Sequence, residues 1–66
     1  MSTAKVIEII GSSETSWEDA AQKALLDAEK SVEGITGLEV VSQTAEVENN
    51  KIKYYKTAIR VAFIVK

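Results

Sequence analysis

Few residues of this 66-residue chain belong to the types that carry out chemistry. The chain has no Cys and no His, which removes disulfides, thiolate chemistry and most transition-metal sites. Nucleophilic catalysis without His needs a Lys or a carboxylate in a dry site beside a base, and the sequence shows no such constellation. We therefore expect a protein that is not an enzyme.

Two groups of charged residues still need an explanation. Glu14, Glu18 and Asp19 form an acidic cluster that either binds a hard cation through oxygen ligands or charges the first turn of a helix. Lys56 is flanked by Tyr54 and Ala58 in a strand-like segment, where it is either a solvated charge at an assembly surface or a ligand contact. The segment "GSSETS" has a single glycine and lacks the pattern of a phosphate-binding loop.

Composition limits the class of protein. The hydrophobic fraction is 45%, the net charge is -2 and the pI is about 5.0, which favours a folded chain and argues against nucleic-acid binding. No apolar run approaches the roughly 20 residues that span a bilayer, and no signal peptide is visible, so we expect a cytoplasmic protein that does not bind membranes. Residues 1–66 are expected to form one domain. A core this small is marginal, and without Cys or His the remaining means of stabilisation is self-association.

The first half of the chain predicts a strand followed by a helix. "AKVIEII" (4–10) is rich in β-branched residues and is bounded by "GSS". The helix is expected to start with a capping box, either Thr15 with Glu18 or Ser16 with Asp19. It is expected to end just before Gly34, whose backbone would adopt the left-handed conformation typical of the residue after a helix. Its apolar stripe, mostly alanine, permits close approach to a sheet: Trp17, Ala20, Ala21, Ala24, Leu25, Ala28 and Val32.

The second half predicts a hairpin. Two alternating runs, 35–48 and 51–66, flank Asn49-Asn50, a pair that tolerates the positive φ of a type I′ turn. If Glu48 pairs with Lys51, the same register places Glu46 opposite Lys53 and Glu39 opposite Arg60. Both are favourable charge pairs.

This register also sorts the side chains of the hairpin between two faces. One face, expected to cover the helix, holds Leu38, Val40, Ser42, Thr44, Tyr55, Thr57, Ile59, Val61 and Phe63. The other, which we call the open face, holds Gly37, Glu39, Val41, Gln43, Ala45, Val47, Ile52, Tyr54, Lys56, Ala58, Arg60 and Ala62. The predicted fold is α+β, a β-α-β-β protomer with one helix on a three-stranded antiparallel sheet. Its uncovered face should seek a partner chain.

The segments "KVIEIIGSSETSWEDAAQKAL", "LEVV" and "YYKTAIRVAF" resemble the dodecins, small flavin-binding proteins, over nearly the whole chain without gaps. The resemblance implies a β-α-β-β protomer, twelve copies of which form a hollow homododecamer. It also implies flavins stacked in pairs between subunits, and a role in flavin storage rather than catalysis.

At the ligand positions the chain departs from that pattern. The family's flavin-stacking Trp corresponds to Gly37, its ring-edge Gln to Lys56, and a basic residue common in bacterial members to Thr44. Flavin binding (FMN or riboflavin) is therefore expected to be weakened or lost, with Gln43, Tyr54 and Lys56 lining any rebuilt pocket for another small ligand. The alternative is a structural shell that binds Ca²⁺ or Mg²⁺ and no flavin.

Overall fold

The computed structural model describes residues 3–65. The predicted domain also includes residues 1, 2 and 66, which lie outside the described residues. The elements are β1 (Thr3–Ser13), α1 (Trp17–Glu29), β2 (Ile35–Glu48) and β3 (Lys51–Val65), which confirms the β-α-β-β order. They form an antiparallel sheet in the order β1-β3-β2, with α1 packed on one face. No helix in residues 3–65 has the length and apolar character needed to cross a bilayer.

The first strand is longer than its apolar run predicts. Gly11, Ser12 and Ser13 continue the ladder, opposite Thr57, Lys56 and Tyr55 of β3. The polar residues were expected to form a loop, but pairing with the central strand keeps them extended. Ser13 is buried, and its hydroxyl accepts hydrogen bonds from the backbone N–H groups of Thr15 (2.9 Å) and Ser16 (3.4 Å).

Of the two predicted caps, Ser16 is the one that forms. Its hydroxyl accepts a hydrogen bond from the Asp19 backbone N–H at 3.0 Å, which satisfies one of the free donors of the first turn. The predicted helix end is wrong, because α1 stops at Glu29 and Lys30 caps it in a right-handed conformation. Gly34 does have the expected positive φ of 75°, but it lies in the connection that follows, just before β2.

The core is a thin layer between the alanine stripe and the central strand. Ala24 and Ala28 pack with Ile59 and Val61, and all four are 0–1% exposed. The closest approach is at Gly11, where an added Cβ would overlap the Ala20 carbonyl oxygen and lie 2.9 Å from the Ala24 Cβ. The small helix residues therefore perform the predicted function of letting the helix lie close to the sheet.

The hairpin turn has the predicted type I′ conformation. Asn49 and Asn50 have φ values of 54° and 63°, as a type I′ turn requires, and Glu48 pairs with Lys51. Further along, Glu39 pairs with Arg60 as expected.

Between these two points the predicted register is wrong. Two β-bulges, which place Lys53 of β3 and Val41 of β2 out of the ladder, move residues 42–46 by one position relative to β3. We call residues 42–46 the shifted segment. Within it Glu46 lies opposite Tyr54 and not opposite Lys53.

Because successive side chains point to opposite faces of a strand, this one-residue shift exchanges the two faces of the segment. Gln43 and Ala45 lie opposite Thr57 and Tyr55 on the helix side, whereas both were expected on the open face. The residues that replace them on the open face were expected to cover the helix: Ser42, Thr44 and Glu46.

The helix covers β1 and β3 and barely reaches β2. Leu38 and Val40 lie on the predicted helix side, yet they remain 42% and 48% exposed because α1 does not extend over them.

On the open face Val6 and Ile10 are 58% and 66% exposed. Val47 follows Glu46 directly in β2 and therefore lies on the other face with its partner Ile52, although both were expected on the open face; Val47 is 66% exposed there. Apolar side chains are therefore uncovered on both faces of the sheet, on β1 at the open face and on β2 at the helix side.

Candidate binding site on the open face

Lys56 forms the centre of a polar cluster on the open face. Its backbone lies opposite Thr44, and its Nζ is 2.7 Å from Oε2 of Glu46, the next residue of β2 on the same face. The hydrogen bond from Lys56, together with its positive charge, holds the pKa of Glu46 below its usual value. The register extrapolated from the turn predicts Gln43 opposite Lys56 and no acidic partner for it; this is wrong, because the bulges bring Glu46 within reach instead.

Tyr54 extends this cluster towards the hairpin tip. It lies opposite Glu46 and is half-buried, and the Nζ of Lys53 is 5.5 Å from the centre of its ring. Lys53 also pairs with Glu48 at 3.2 Å. Both Lys53 and Lys56 are therefore already neutralised by carboxylates within the protomer.

Gly37 lies in a different part of the open face. It is paired with Ala62, which in turn pairs with Val6 of β1, so three small or medium-sized residues cross the sheet in one row. An added Cβ at Gly37 would meet no atom within 4 Å, and its backbone is not in the left-handed region. Neither packing nor backbone conformation within the protomer requires a glycine here.

Arg60 separates the Gly37 row from the rest of the face. It lies between Glu8 and Glu39 across all three strands, with its Nε 3.3 Å from Glu8 Oε1 and its Nη1 3.8 Å from Glu39 Oε1. Two carboxylates share one guanidinium, which leaves an excess of negative charge at this row.

The five residues expected to line a ligand site fall into three places. Thr44, Tyr54 and Lys56 lie together, Gln43 is on the opposite face, and Gly37 is remote from both. The β3 residue opposite Gly37 is Ala62, six positions from Lys56, which corresponds to about 20 Å along a strand. One protomer therefore does not bring Gly37 and Lys56 to the same small molecule.

The residues of a single protomer do not fit a flavin in the way the resemblance implies. Gly37 offers no ring to stack on, Lys56 is engaged by Glu46, and the only glutamine on these two strands, Gln43, is on the other face. No step of ligand binding is therefore derived from the flavin pattern.

The acidic cluster at the helix start does not gather three carboxylates around one point in the described residues. Asp19 accepts a hydrogen bond from the Ser13 hydroxyl at 2.6 Å and pairs with Lys23 at 3.1 Å. The Ser13 hydrogen bond, followed by Lys23, lowers the pKa of Asp19. Residues 3–65 contain no group of three or more acidic side chains arranged to hold a metal ion. Glu18 and Asp19 lie in the first turn of α1, as the helix-dipole explanation requires, whereas Glu14 precedes the N-cap.

Two residues near the site were not predicted to take part in it. Glu46 was assigned to Lys53, although the lack of an acid opposite Lys56 in that register was a signal that the register was wrong. Trp17 was assigned to the core, yet its indole N–H donates a 2.7 Å hydrogen bond to the Thr44 carbonyl oxygen. No pattern in the sequence indicates a contact between these two residues.

Three comparisons place the chain among known proteins. The family model described as Dodecin matches residues 3–66. The "Calcium dodecin" of Mycobacterium tuberculosis is 41% identical over 63 residues, which are 96% of this chain and 89% of that protein. Its crystal structure, described as a calcium-chelating antigen with a novel calcium-binding site, matches with a TM-score of 0.84 at 40% identity over 97% of this chain and 91% of that one.

Other solved dodecins have the same fold. A mutant of the Thermus thermophilus dodecin is 27% identical and matches with a TM-score of 0.95, covering 100% of this chain and 98% of that chain. The dodecin from Streptomyces davaonensis matches with a TM-score of 0.94 at 20% identity, covering 98% and 96% of the two chains, and supports the fold alone.

Proposed function

Because the chain belongs to the dodecin family, we propose that it forms a self-associated, non-catalytic shell that binds a small ligand between copies and binds flavin weakly or not at all. The observation that carries the proposal is the uncovered apolar surface of the open face. Val6 and Ile10 on this face are 58% and 66% exposed, and Val47 and Ile52 at the hairpin tip, on the other face, are 66% and 47% exposed. Each square ångström of apolar surface left in water costs about 25 cal/mol, so a lone protomer of this size is poorly stabilised. The proposed assembly has twelve chains, the number that the resemblance implies.

The separation of the candidate residues supports a composite site. Gly37 and the Lys56 cluster are about 20 Å apart on one protomer, measured along β3. A small molecule that contacts both must therefore take them from different copies. The proposed ligand therefore lies at a boundary between subunits, and its binding depends on assembly.

Weak flavin binding follows from the side chains present. Stacking of a ring on an aromatic side chain contributes about 1–3 kcal/mol, and Gly37 contributes none of it. Lys56 would have to leave Glu46, 2.7 Å away, before its ammonium group became available to a ligand. The site is better suited to a ligand that tolerates the intact Lys56–Glu46 pair.

Native mass spectrometry of freshly purified protein tests the assembly and reports any co-purified small molecule. We expect an oligomer of about twelve chains and no folded monomer at working concentrations. Titration of riboflavin and FMN, followed by quenching of flavin fluorescence, tests the ligand, and we expect weak quenching by the wild type. A folded monomer would contradict the proposed shell, and tight flavin binding would contradict the interpretation of Gly37 and Lys56.

A second candidate function, a shell that binds Ca²⁺ or Mg²⁺, is favoured by the shared Arg60. Glu8 and Glu39 flank one guanidinium and leave an excess carboxylate on the open face. Since residues 3–65 of one chain group no three possible ligands around a point, a cation would need carboxylates from more than one copy. The relative described as a calcium dodecin supports this alternative.

Calorimetric titration with Ca²⁺ and with Mg²⁺ tests the cation proposal, with Glu39→Gln as the test variant. Glu29→Gln is the matched control, because it removes the same charge from the exposed end of α1. Cation binding by the wild type and the control but not by Glu39→Gln would support it. Binding that all three proteins share would place the cation elsewhere.

We also propose that the protein is cytoplasmic, and cell fractionation tests this location.

A further inference from the structure

We infer that Trp17 selects the register of the shifted segment and so decides which side chains the open face presents to a ligand. Trp17 is the first residue of α1 and does not lie on the open face itself. Its role is that of a positioning residue, which acts through the backbone of β2 and through the side chains of β3.

Three contacts join Trp17 to the shifted segment and to the part of β3 that pairs with it. The indole N–H donates to the Thr44 carbonyl oxygen at 2.7 Å. The ring meets that of Tyr55 edge to face, with centroids 4.8 Å apart and planes at 78°. The Trp17 carbonyl oxygen accepts a 2.8 Å hydrogen bond from the hydroxyl of Thr57, which is fully buried. One helix residue thus contacts both strands of the hairpin at the site of the shift.

Charge pairing within the hairpin does not decide between the two registers, because Glu46 has a lysine partner in each. The Asn49-Asn50 turn and the Glu39–Arg60 pair lie outside the shifted segment and are compatible with either register. An unshifted ladder would place Glu46 opposite Lys53, which is a favourable charge pair, and would need neither bulge. Contacts from outside the two strands are therefore needed to account for a register that contains two bulges.

The Trp17 contacts discriminate between the two registers. Exchanging the faces of the segment means rotating it by half a turn about the strand axis, which would carry the Thr44 carbonyl away from the indole N–H. It would also place Thr44 opposite Tyr55, where the structure has the small Ala45 beside the ring that Trp17 contacts. Only the shifted register keeps the indole hydrogen bond to Thr44 and the space beside the Tyr55 ring.

The consequence for the open face is the environment of Lys56. In the shifted register Lys56 lies beside Thr44 and pairs with Glu46, whereas in the unshifted register it would face Gln43 with no carboxylate in reach. An effect of Trp17 on ligand affinity rests on the proposed function, but its effect on the register does not.

Disulfide trapping tests the register directly, because the natural chain has no cysteine. The pair Thr44→Cys with Lys56→Cys reports the shifted register, since these residues are directly opposite on one face. The pair Gln43→Cys with Lys56→Cys reports the unshifted register, since in the structure these side chains lie on opposite faces. The readout is the intramolecular disulfide yield after mild oxidation, measured by mass spectrometry and expressed as the ratio of the two pairs.

Each cysteine pair is placed in four backgrounds: wild type, Trp17→Phe, position 17 replaced by 3-benzothienylalanine, and Leu25→Ala. The benzothiophene keeps the two-ring shape and lacks the N–H donor. Leu25→Ala is the matched control, because Leu25 packs against the core from the same helix. We expect the shifted-register disulfide in the wild type and the control. In both position-17 backgrounds the ratio should move towards the unshifted pair by about fivefold or more, the factor that corresponds to one lost hydrogen bond.

An unchanged ratio in both position-17 backgrounds would overturn the inference. Loss of folding in both, with Leu25→Ala still folded by circular dichroism, would also overturn it, because register selection requires a folded chain in the other register. Riboflavin titration of the same proteins separates the two proposals. If the disulfide ratio moves towards the unshifted pair in the position-17 backgrounds and no background binds ligand, the ligand proposal is refuted and the role of Trp17 remains.

Discussion

Substitution of Gly11 by alanine tests the close packing of helix on sheet that holds the whole protomer together. Gly11 passes beneath α1, and an added Cβ would overlap the Ala20 carbonyl oxygen and lie 2.9 Å from the Ala24 Cβ. Neither atom is the end of a flexible side chain, so the helix must move away from β1. That movement would open the contacts of Ala20, Ala24 and Ala28, which are 0–1% exposed.

The expected cost is large for a chain of this size. Overpacking a close-packed site costs about 1–3 kcal/mol, and a clash with backbone places Gly11→Ala at the upper end. In a domain of 60–100 residues each kcal/mol lowers the melting temperature by about 4–8 °C, so Gly11→Ala should melt roughly 10–20 °C below the wild type. Gly37→Ala is the matched control, because its Cβ would meet no atom within 4 Å and its backbone is extended. Its free energy of unfolding should equal that of the wild type or exceed it by up to about 1 kcal/mol, so it should melt at or slightly above the wild-type temperature.

Thermal unfolding followed by circular dichroism measures both variants at one protomer concentration, because the melting temperature of an oligomer depends on concentration. Native mass spectrometry confirms that each variant has the wild-type subunit count. Equal melting temperatures for Gly11→Ala and Gly37→Ala would refute the reasoning, since they would mean that α1 does not lie against β1 as described.

Three further predictions concern single positions of the connection and the open face. Gly34→Val should lower the melting temperature more than Gly37→Val, because a β-branched residue resists the positive φ of 75° at Gly34, and equal losses would contradict this. Lys56 lowers the pKa of Glu46 in the folded state, so ionised Glu46 stabilises the wild type at neutral pH. Glu46→Gln should therefore be less stable than the wild type at neutral pH. This difference should fade as the pH falls below the ordinary value of 4.5 and through the lowered pKa, and denaturant unfolding at several pH values checks it. Gly37→Trp and Lys56→Gln should together tighten riboflavin binding more than the sum of the single changes, and only in the assembled oligomer. Failure of an intact double variant to bind would mean that the pocket has been remodelled beyond these two contacts.

Several features of the fold could be predicted from the sequence because local interactions decide them. The Asn49-Asn50 turn requires positive φ at two adjacent residues, and asparagine tolerates this conformation. Ser16 caps the helix through a hydroxyl three residues from its partner. The alanine stripe follows from helical spacing, and family membership from the motifs shared along the chain. Each of these depends on residues that are close in sequence or on one periodic pattern.

The composition of the open face was decided only by tertiary structure. Pairing extrapolated from the turn places Gln43 beside Lys56, whereas bulges at Val41 and Lys53 put Thr44 and Glu46 there instead. Because strand side chains alternate, a shift of one residue reverses the face of the whole segment, and charge pairing does not decide between the registers, since Glu46 meets a lysine in each. The contacts that distinguish the two registers come from Trp17, 27 residues from Thr44 in the chain and on a different element. A long-range contact therefore determines which side chains a ligand would meet, and it exists only once the helix has packed on the sheet.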